Sequence, residues 1–336
     1  MAQGAGGASN GDSHLLQGIL NGILAQYWEH TPTAGEAIEA IEEHYDNSCI
    51  CFDHFAFRTF GVEGLGIASL SKLFTDFGYQ QRGQPLVFPA KKLEAFWYAP
   101  PDPSLPRVFI SELKVGELSG EAQEVIARYT TQEGTDVLAR YAALSSVLGM
   151  QPWPTPTRDD YQLLAKSGPK AEWPPRQQWP SRVSSCTTAK SKSAARKQGC
   201  LALQESEYAA WVLVNGYALN HTTVSVHHLK GPRDIHELND FLQKAGFQLN
   251  ASGGVTKVSP DGLLLQSSTM ADQVCYTFAG DETEKVAGAY IEFAERLVLP
   301  EFRHLPLEEV EEHHRRDGFE AGSADRIFES TTISKG

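Results

Sequence analysis

Two stretches of the sequence, DHFAF at residues 53–57 and NHTTVSV at residues 220–226, decide the fold expected for this chain. Each alternates as a β-strand does and has histidine at its second position. Each is followed by a helical segment that ends in a glycine and an aromatic residue, at 78–79 and 246–247. The interval from histidine to glycine is 24 residues in the first copy and 25 in the second. Glycine commonly ends a helix because it readily adopts the left-handed conformation of the cap. The matching order and spacing therefore predict two copies of one strand–helix–turn unit.

Each copy continues into three further predicted strands, so the unit is βαβββ and occurs twice. Two such units commonly form a curved mixed sheet around a central cavity. Helical periodicity predicts additional helices at 15–28 and near 36–44, and two more within 121–148, split at Gly134. The expected class is therefore α+β. The further strands are predicted at 85–88, 93–98 and 107–113 in the first copy, and at 263–267, 273–278 and 289–293 in the second.

Four side chains that can bind metal lie on the strands of the two units. His54 and His221 are on the first strands, and Glu112 and Glu292 are on the last. The matching order of the strands predicts that the members of each pair occupy equivalent positions of the repeat. Imidazole and carboxylate suit Fe(II), Mn, Co, Ni or Zn better than Ca or Mg. Two histidines with one carboxylate would resemble the facial triad of Fe(II) oxygenases, whereas four protein ligands would fit a glyoxalase-type isomerase or lyase. Glu112 is the residue on which that choice depends.

Arg58 follows His54 by four residues on the same predicted strand. Positions i and i+4 of a strand point to the same face, so Arg58 can enter the cavity that His54 faces. A guanidinium is suited to bidentate capture of a substrate carboxylate. The alternative is a structural ion pair. A binding module without metal is also conceivable, but it would not need histidines and carboxylates at matched positions.

Length and charge limit the kind of protein this can be. The 336 residues suffice for about two domains, and 29 Lys and Arg against 42 Asp and Glu give a net charge of −13. Such a charge argues against nucleic acid or an anionic membrane as the main partner. The five cysteines suggest reduced thiols, and no apolar run is long enough to span a membrane.

The charge is unevenly distributed along the chain. Residues 151–200 contain nine Lys and Arg and three Asp and Glu, a local balance of +6, and are rich in proline. This composition predicts a connector between the two units. The proposed organisation is a flexible N-terminus at 1–13, the N-terminal helices with the first unit at 14–150, a Pro-rich and then basic connector at 151–205 (most basic at 181–199), the second unit at 206–300, and a C-terminal closing segment at 301–336.

Three stretches, DHFAFRT at 53–59, GYALNHTT at 216–223 and YIEFAER at 290–296, resemble the 2-oxoadipate dioxygenase/decarboxylase family of the vicinal-oxygen-chelate superfamily. The resemblance extends from about residue 14 to 330 and is closest to the short plant or algal form. It implies Fe(II) as cofactor and places the protein in the plastid stroma if the chain is a processed plant or algal form, and otherwise in the cytoplasm. The oligomeric state stays open.

The resemblance also implies roles for individual residues. His54, His221 and Glu292 would bind Fe(II), and Arg58 would hold a substrate carboxylate. The run GSADRIF at 322–328 is similar to the family's closing segment, which makes Ser323 a candidate contact for the distal carboxylate. The implied partners are O₂ and a 2-oxo dicarboxylic acid. With 2-oxoadipate, the implied reaction gives 2-hydroxyglutarate and CO₂, a step in lysine breakdown.

Overall fold

The computed structural model describes residues 10–131, 151–166, 207–322 and 327–331. The predicted helix after Gly134, most of the proposed connector with its basic stretch 181–199, and Ser323 lie outside the described residues. The domain boundaries that we proposed from the sequence stay predictions.

An eight-stranded mixed sheet forms the centre of the molecule, and its strands come from both copies of the repeat. The ten strands of the described residues, eight of them in this sheet, are β1 Phe52–Phe60, β2 Gln80–Phe88, β3 Leu93–Ala99, β4 Arg107–Leu113, β5 Leu219–Ser225, β6 Lys257–Val258, β7 Leu264–Ser268, β8 Gln273–Thr277, β9 Thr283–Ala287 and β10 Tyr290–Arg296. The sheet order is β2-β3-β4-β1-β5-β10-β7-β6, with β8 and β9 in a separate pair. β4 lies parallel to β1, β10 lies parallel to β5, and β1 and β5 meet antiparallel at the centre. The α+β class and the duplicated unit are thereby confirmed.

The third strand assigned to the second unit was wrong. Residues 273–277 do not join the main sheet but pair with β9, and this hairpin is inserted between β7 and β10. The edge strand of the second unit is instead β6, only two residues long. Alternation of side chains predicts that a segment is extended, but it does not identify the strand with which the segment pairs.

Helices cover the sheet, and glycine ends the repeat helices as predicted. Gly78 has a φ of +91° and Gly246 a φ of +98°, the left-handed conformation that glycine adopts without strain. At the start of the second repeat helix, the Asp234 carboxylate accepts hydrogen bonds from two backbone N–H groups. The helices in the described part of the chain are Asn10–His30, Pro32–Tyr45, Ile67–Leu70, Lys72–Thr75, Gly120–Thr130, Arg158–Lys166, 207–215 and Ile235–Lys244.

The central strands are enclosed on both faces. All residues of β5 and β10, and all of β1 except Phe52, are buried. The N-terminal helix is attached to this centre by Tyr27, whose hydroxyl donates a 2.6 Å hydrogen bond to the Tyr290 carbonyl. No helix within the described ranges is long and apolar enough to cross a membrane. Polar side chains on these three strands are therefore shielded from water, so each needs a hydrogen-bonding or ionic partner within the protein.

Candidate metal centre

His54, His221 and Glu292 meet at the centre of the sheet. They come from β1, β5 and β10, and Thr223 of β5 is in register with both His54 and Glu292. Nε2 of His221 lies 3.2 Å from Oε2 of Glu292, and Nε2 of His54 lies 3.9 Å from Oε1. One donor atom from each of the three side chains lies within 4.8 Å of the others. All three residues are buried, so adjacent rigid strands hold three possible ligands together.

Each of these side chains is oriented by a neighbour. Asp53 Oδ1 lies 2.7 Å from Nδ1 of His54, and in the other unit Asn220 Oδ1 lies 3.0 Å from Nδ1 of His221. An acceptor at Nδ1 places the ring proton there and leaves Nε2 as the atom that can bind a metal. Nε2 of His54 also lies 3.1 Å from the Thr223 hydroxyl, which would have to give up that contact to a metal. The Gln266 side-chain amide donates a 2.6 Å hydrogen bond to Oε1 of Glu292. The remaining carboxylate oxygen, Oε2, faces His221, whereas the shortest distance from His54 is to Oε1.

Burial controls the protonation of the cluster. It lowers the pKa of His54, and the bond to Asp53 offsets only part of that effect. Burial is the main reason that the pKa of His221 lies well below its usual value, and the neighbouring His54 and Arg58 further disfavour a positive charge on it. Burial raises the pKa of Glu292 to about 8, against the opposing effect of the Gln266 hydrogen bond. Both imidazoles are therefore neutral at pH 7, the form in which histidine binds metals.

The chemistry of this donor set fits a divalent transition metal. Oε2 of Glu292 is buried and accepts no hydrogen bond from the described residues. An ionised carboxylate oxygen without a partner is costly in a dry interior. A cation between this oxygen and the two imidazoles would remove that cost, and mixed nitrogen and oxygen donors suit Fe, Mn, Co, Ni or Zn. Three protein ligands also leave coordination positions for a substrate.

Glu112 does not join this cluster, and the equivalence we assumed between Glu112 and Glu292 was wrong. The register pairs His54 with Arg107 and His221 with Tyr290, so the position in β4 that matches Glu292 is Phe109. Glu112 matches Glu295 instead. Each of these two carboxylates accepts a hydrogen bond from the first backbone N–H of its repeat helix, Glu112 at 2.8 Å and Glu295 at 2.9 Å. A shift of three positions along a strand also reverses the face.

Arg58 is buried beside the cluster, among aromatic rings. Its guanidinium lies 5.0 to 5.5 Å from the ring centroids of Tyr208, Trp211 and Phe328. It donates hydrogen bonds to the Thr331 hydroxyl and the Phe328 carbonyl, at 3.1 and 3.4 Å. Its Nε has no hydrogen-bond partner among the described residues. A buried guanidinium with an unused donor is suited to an anionic ligand.

Residues of the C-terminal segment cover the cluster. The ring of Phe319 meets His54 edge-on at a centroid distance of 4.8 Å. Phe328 lines both the cavity next to the cluster and the cavity next to Arg58. The first cavity has a volume of about 20 Å³, which leaves room for a water molecule but not for a larger ligand. A ligand of several carbon atoms can therefore enter only if side chains that line this cavity move.

Sequence reasoning missed several residues around the cluster. Asp53 and Asn220 directly precede the two repeat histidines, and that matched position was a signal that could have revealed them. Gln266 had no such signal, because nothing along the chain connects it with Glu292. Tyr290 stacks on His221 at 4.7 Å, and its hydroxyl interacts electrostatically with the Arg58 guanidinium. It therefore links the cluster to the buried guanidinium.

Known proteins are similar to this chain along most of its length. A family model described as 2-oxoadipate dioxygenase/decarboxylase matches residues 19–173 and 188–306. A chloroplastic/amyloplastic 2-oxoadipate dioxygenase/decarboxylase from Oryza sativa subsp. japonica is 45% identical over 333 residues, which is 96% of this chain and 80% of the relative.

Solved structures agree with that similarity. The crystal structure of the Oryza sativa hydroxyglutarate synthase in complex with 2-oxoadipate is 43% identical, with a TM-score of 0.81, and the match covers 100% of this chain and 98% of the other. A glyoxalase superfamily protein from Ralstonia eutropha JMP134, 19% identical with a TM-score of 0.59, shares the fold over 89% of this chain and 84% of its own. With family model and identity in agreement, this chain belongs to the 2-oxoadipate dioxygenase/decarboxylase family.

Proposed function

We propose that this protein converts 2-oxoadipate and O₂ into 2-hydroxyglutarate and CO₂. The observation that carries the proposal is the buried cluster of His54, His221 and Glu292, with one carboxylate oxygen left without a hydrogen bond among the described residues. The names of the relatives support the substrate. The equation balances: a six-carbon diacid and O₂ become a five-carbon hydroxydiacid and one CO₂.

We propose Fe(II) as the resident metal, bound by the two histidines and Glu292. This donor set matches the facial triad of Fe(II) oxygenases. Bound there, iron would supply the activation of O₂ and the Lewis acidity that polarises a 2-oxo acid. The protein's part is to keep both Nε2 atoms directed at one point, through the bonds of Asp53 and Asn220. Gln266 holds the carboxylate so that Oε2 faces the same point.

Arg58 is our candidate for holding a substrate carboxylate. Its position behind Phe328, with one donor unused, favours an elongated acid that extends from the metal cluster toward the guanidinium. Ser323 remains a candidate for the distal carboxylate on the sequence resemblance alone. Phe109, Phe319 and Phe328 surround the cluster with apolar surface and exclude water from it. Water exclusion strengthens every charge interaction with the substrate.

We further propose that the protein acts in a plastid. The support is the chloroplastic/amyloplastic designation of the rice relative, which is 45% identical over nearly the whole chain. There, a step that consumes 2-oxoadipate would serve in lysine breakdown. Fractionation of cells that express a tagged full-length form would test the location.

Oxygen consumption tests the activity directly. Protein loaded anaerobically with Fe(II) should consume O₂ with 2-oxoadipate, and one CO₂ should appear for each O₂ used. His221→Ala and Glu292→Gln should each lose bound iron and activity, because each change removes one of only three protein ligands. Absence of O₂ uptake with a panel of 2-oxo acids would refute the proposal. It would favour the alternative, a glyoxalase-type isomerase or lyase that uses His54, His221 and Glu292 as metal ligands.

The role of Arg58 calls for a separate measurement. Arg58→Lys keeps a positive charge but loses the planar pair of donors. We expect KM for 2-oxoadipate to rise at least tenfold, with bound iron unchanged. A monocarboxylic 2-oxo acid of the same length should be affected far less. Equal kinetic parameters in wild type and variant would remove Arg58 from the substrate site.

A further inference from the structure

A second group of metal-capable side chains lies at the far end of β5, outside the buried cluster. His227 and His228 lie in the short 3-10 turn Val226–His228 that follows the strand, and Glu312 comes from the C-terminal segment. Nε2 of His227 lies 3.4 Å and Nε2 of His228 3.8 Å from Oε2 of Glu312. A donor atom from each lies within 4.8 Å of the other two. The side chains of His227, His228 and Glu312 are 4%, 44% and 23% exposed, so the group opens to solvent on the His228 side.

These separations suit a zinc ion. Zinc binds imidazole nitrogen at about 2.0–2.1 Å and carboxylate oxygen at a similar distance, and tetrahedral ligands then lie about 3.3 Å apart. The two histidines and the glutamate therefore need only small movements to surround one ion. The open side leaves the fourth position to water. Two histidines and a glutamate form a known zinc-binding set.

Neighbouring groups direct the donor atoms toward one point. Oε1 of Glu312 accepts a 2.8 Å hydrogen bond from Arg107, which leaves Oε2 for the histidines. Ser225 Oγ lies 2.9 Å from Nδ1 of His228, so this ring can carry its proton on Nδ1 and present Nε2.

The ring of His227 requires one adjustment. Its Nδ1 accepts a 3.3 Å hydrogen bond from the Arg296 backbone N–H, and Ser225 Oγ lies 3.1 Å from Nε2 and 3.4 Å from Nδ1. When Nε2 binds a cation, the proton moves to Nδ1. Ser225 can accept it there, and the long contact with the Arg296 N–H is lost.

We propose that His227, His228 and Glu312 form a second metal site, specific for zinc or a similar borderline divalent cation. The site connects the end of β5 with the C-terminal segment that carries Phe319. A bound ion would therefore restrain the segment that covers the buried cluster. The proposal depends only on this surface group, whatever metal the buried cluster holds.

Counting bound zinc tests the proposal. After equilibrium dialysis against Zn²⁺ alone, wild-type protein should retain two ions per chain, because zinc also suits the buried cluster. His221→Ala should retain one ion, held at the surface site. His228→Ala should also retain one, held in the buried cluster, and the double variant none. His304→Ala, which removes an exposed histidine of the same segment, is the matched control and should retain two.

A second measurement reports on the segment itself. In the His221→Ala protein, Zn²⁺ should slow backbone hydrogen exchange over residues 307–319, and adding Glu312→Gln should abolish that protection. Since His228 is half-exposed and Glu312 is partly exposed, both variants should fold, which circular dichroism would verify. If His221→Ala retains no zinc, or if the extra ion persists in His221→Ala/His228→Ala, the proposal is wrong.

Discussion

At the scale of single residues, the two histidines of the candidate metal cluster are oriented by side chains at matching positions, one of which is charged and the other neutral. His54 is oriented by a carboxylate, Asp53, whereas His221 is oriented by an amide, Asn220. Asp53 is also held by Arg296, at 2.5 and 2.9 Å, in a buried ion pair. Arg296 in turn donates to the carbonyls of Arg316 and Gly318, so one guanidinium joins the cluster to the C-terminal segment.

Replacing each orienting residue should separate its effects on metal binding and on stability. Asp53→Ala and Asn220→Ala should each weaken metal affinity by about 10–100-fold, because a histidine loses its orienting acceptor. Asp53→Ala should in addition lower the free energy of unfolding by about 3–5 kcal/mol, since it leaves a buried arginine without its carboxylate. Asn220→Ala should cost much less. Competition with a metal indicator and urea unfolding would measure the two effects, and unchanged affinity in both variants would contradict the assigned roles.

At the scale of elements, a carboxylate from the last strand of each unit caps the N-terminus of the helix in the same unit. Glu112 binds the backbone N–H of Ile67, and Glu295 binds that of Ile235. The first N–H groups of a helix have no partner within the helix, so a side chain must satisfy them where they are buried. The duplication thus preserved a structural carboxylate in both units, whereas Glu292 is matched by Phe109 and occurs in one unit only.

Glu112 should therefore matter for folding and not for metal. Glu112→Ala should lower the free energy of unfolding by about 1–3 kcal/mol, the usual cost of leaving a buried donor unsatisfied. Glu112→Gln keeps an acceptor and should cost less. Bound metal should stay at the wild-type level in both variants. Loss of metal from Glu112→Gln as complete as from Glu292→Gln would contradict the helix-capping role assigned to Glu112.

At the scale of the whole molecule, ion pairs fasten the C-terminal segment to both units. Glu312 pairs with Arg107 of the first unit at 2.8 Å, and Arg316 pairs with Asp261 of the second at 3.1 Å. Burial opposes ionisation of Glu312, but the hydrogen bond from His227 and the charge of Arg107 outweigh it and lower its pKa to about 2. Burial likewise opposes ionisation of Asp261, and hydrogen bonds from Ser259, Leu263 and Arg316 lower its pKa to about 2.

These lowered pKa values predict a loss of stability in acid. Carboxylates with a lowered pKa stabilise the folded state above their unfolded pKa, near 4, and that stabilisation is lost as the pH falls toward 2. The free energy of unfolding should therefore decline between pH 4.5 and 2, and Glu312→Gln/Asp261→Asn should decline less steeply. Urea unfolding at several pH values would check this. Parallel curves for variant and wild type would exclude these two groups as the cause.

The repeat was predictable because its signals are local. The two histidine strands and the glycine caps at Gly78 and Gly246 lie at nearly equal spacing along the chain, and the structure confirmed both caps. Which strands pair with each other was harder to predict from the sequence. The hairpin of β8 and β9 has the same alternation as a strand of the main sheet, and β6 is too short to show any.

The sequence by itself determined the duplicated α+β unit, the family, and the residues proposed to bind metal and substrate. Periodicity and spacing carry this information because each depends on neighbours along the chain. Only the tertiary structure decided that Glu112 caps a helix, that Gln266 holds Glu292, and that Phe328 lies between the cluster and Arg58. Those outcomes depend on strand register and on contacts between distant segments, and a shift of a few positions along one strand changes both the face and the partner of every side chain.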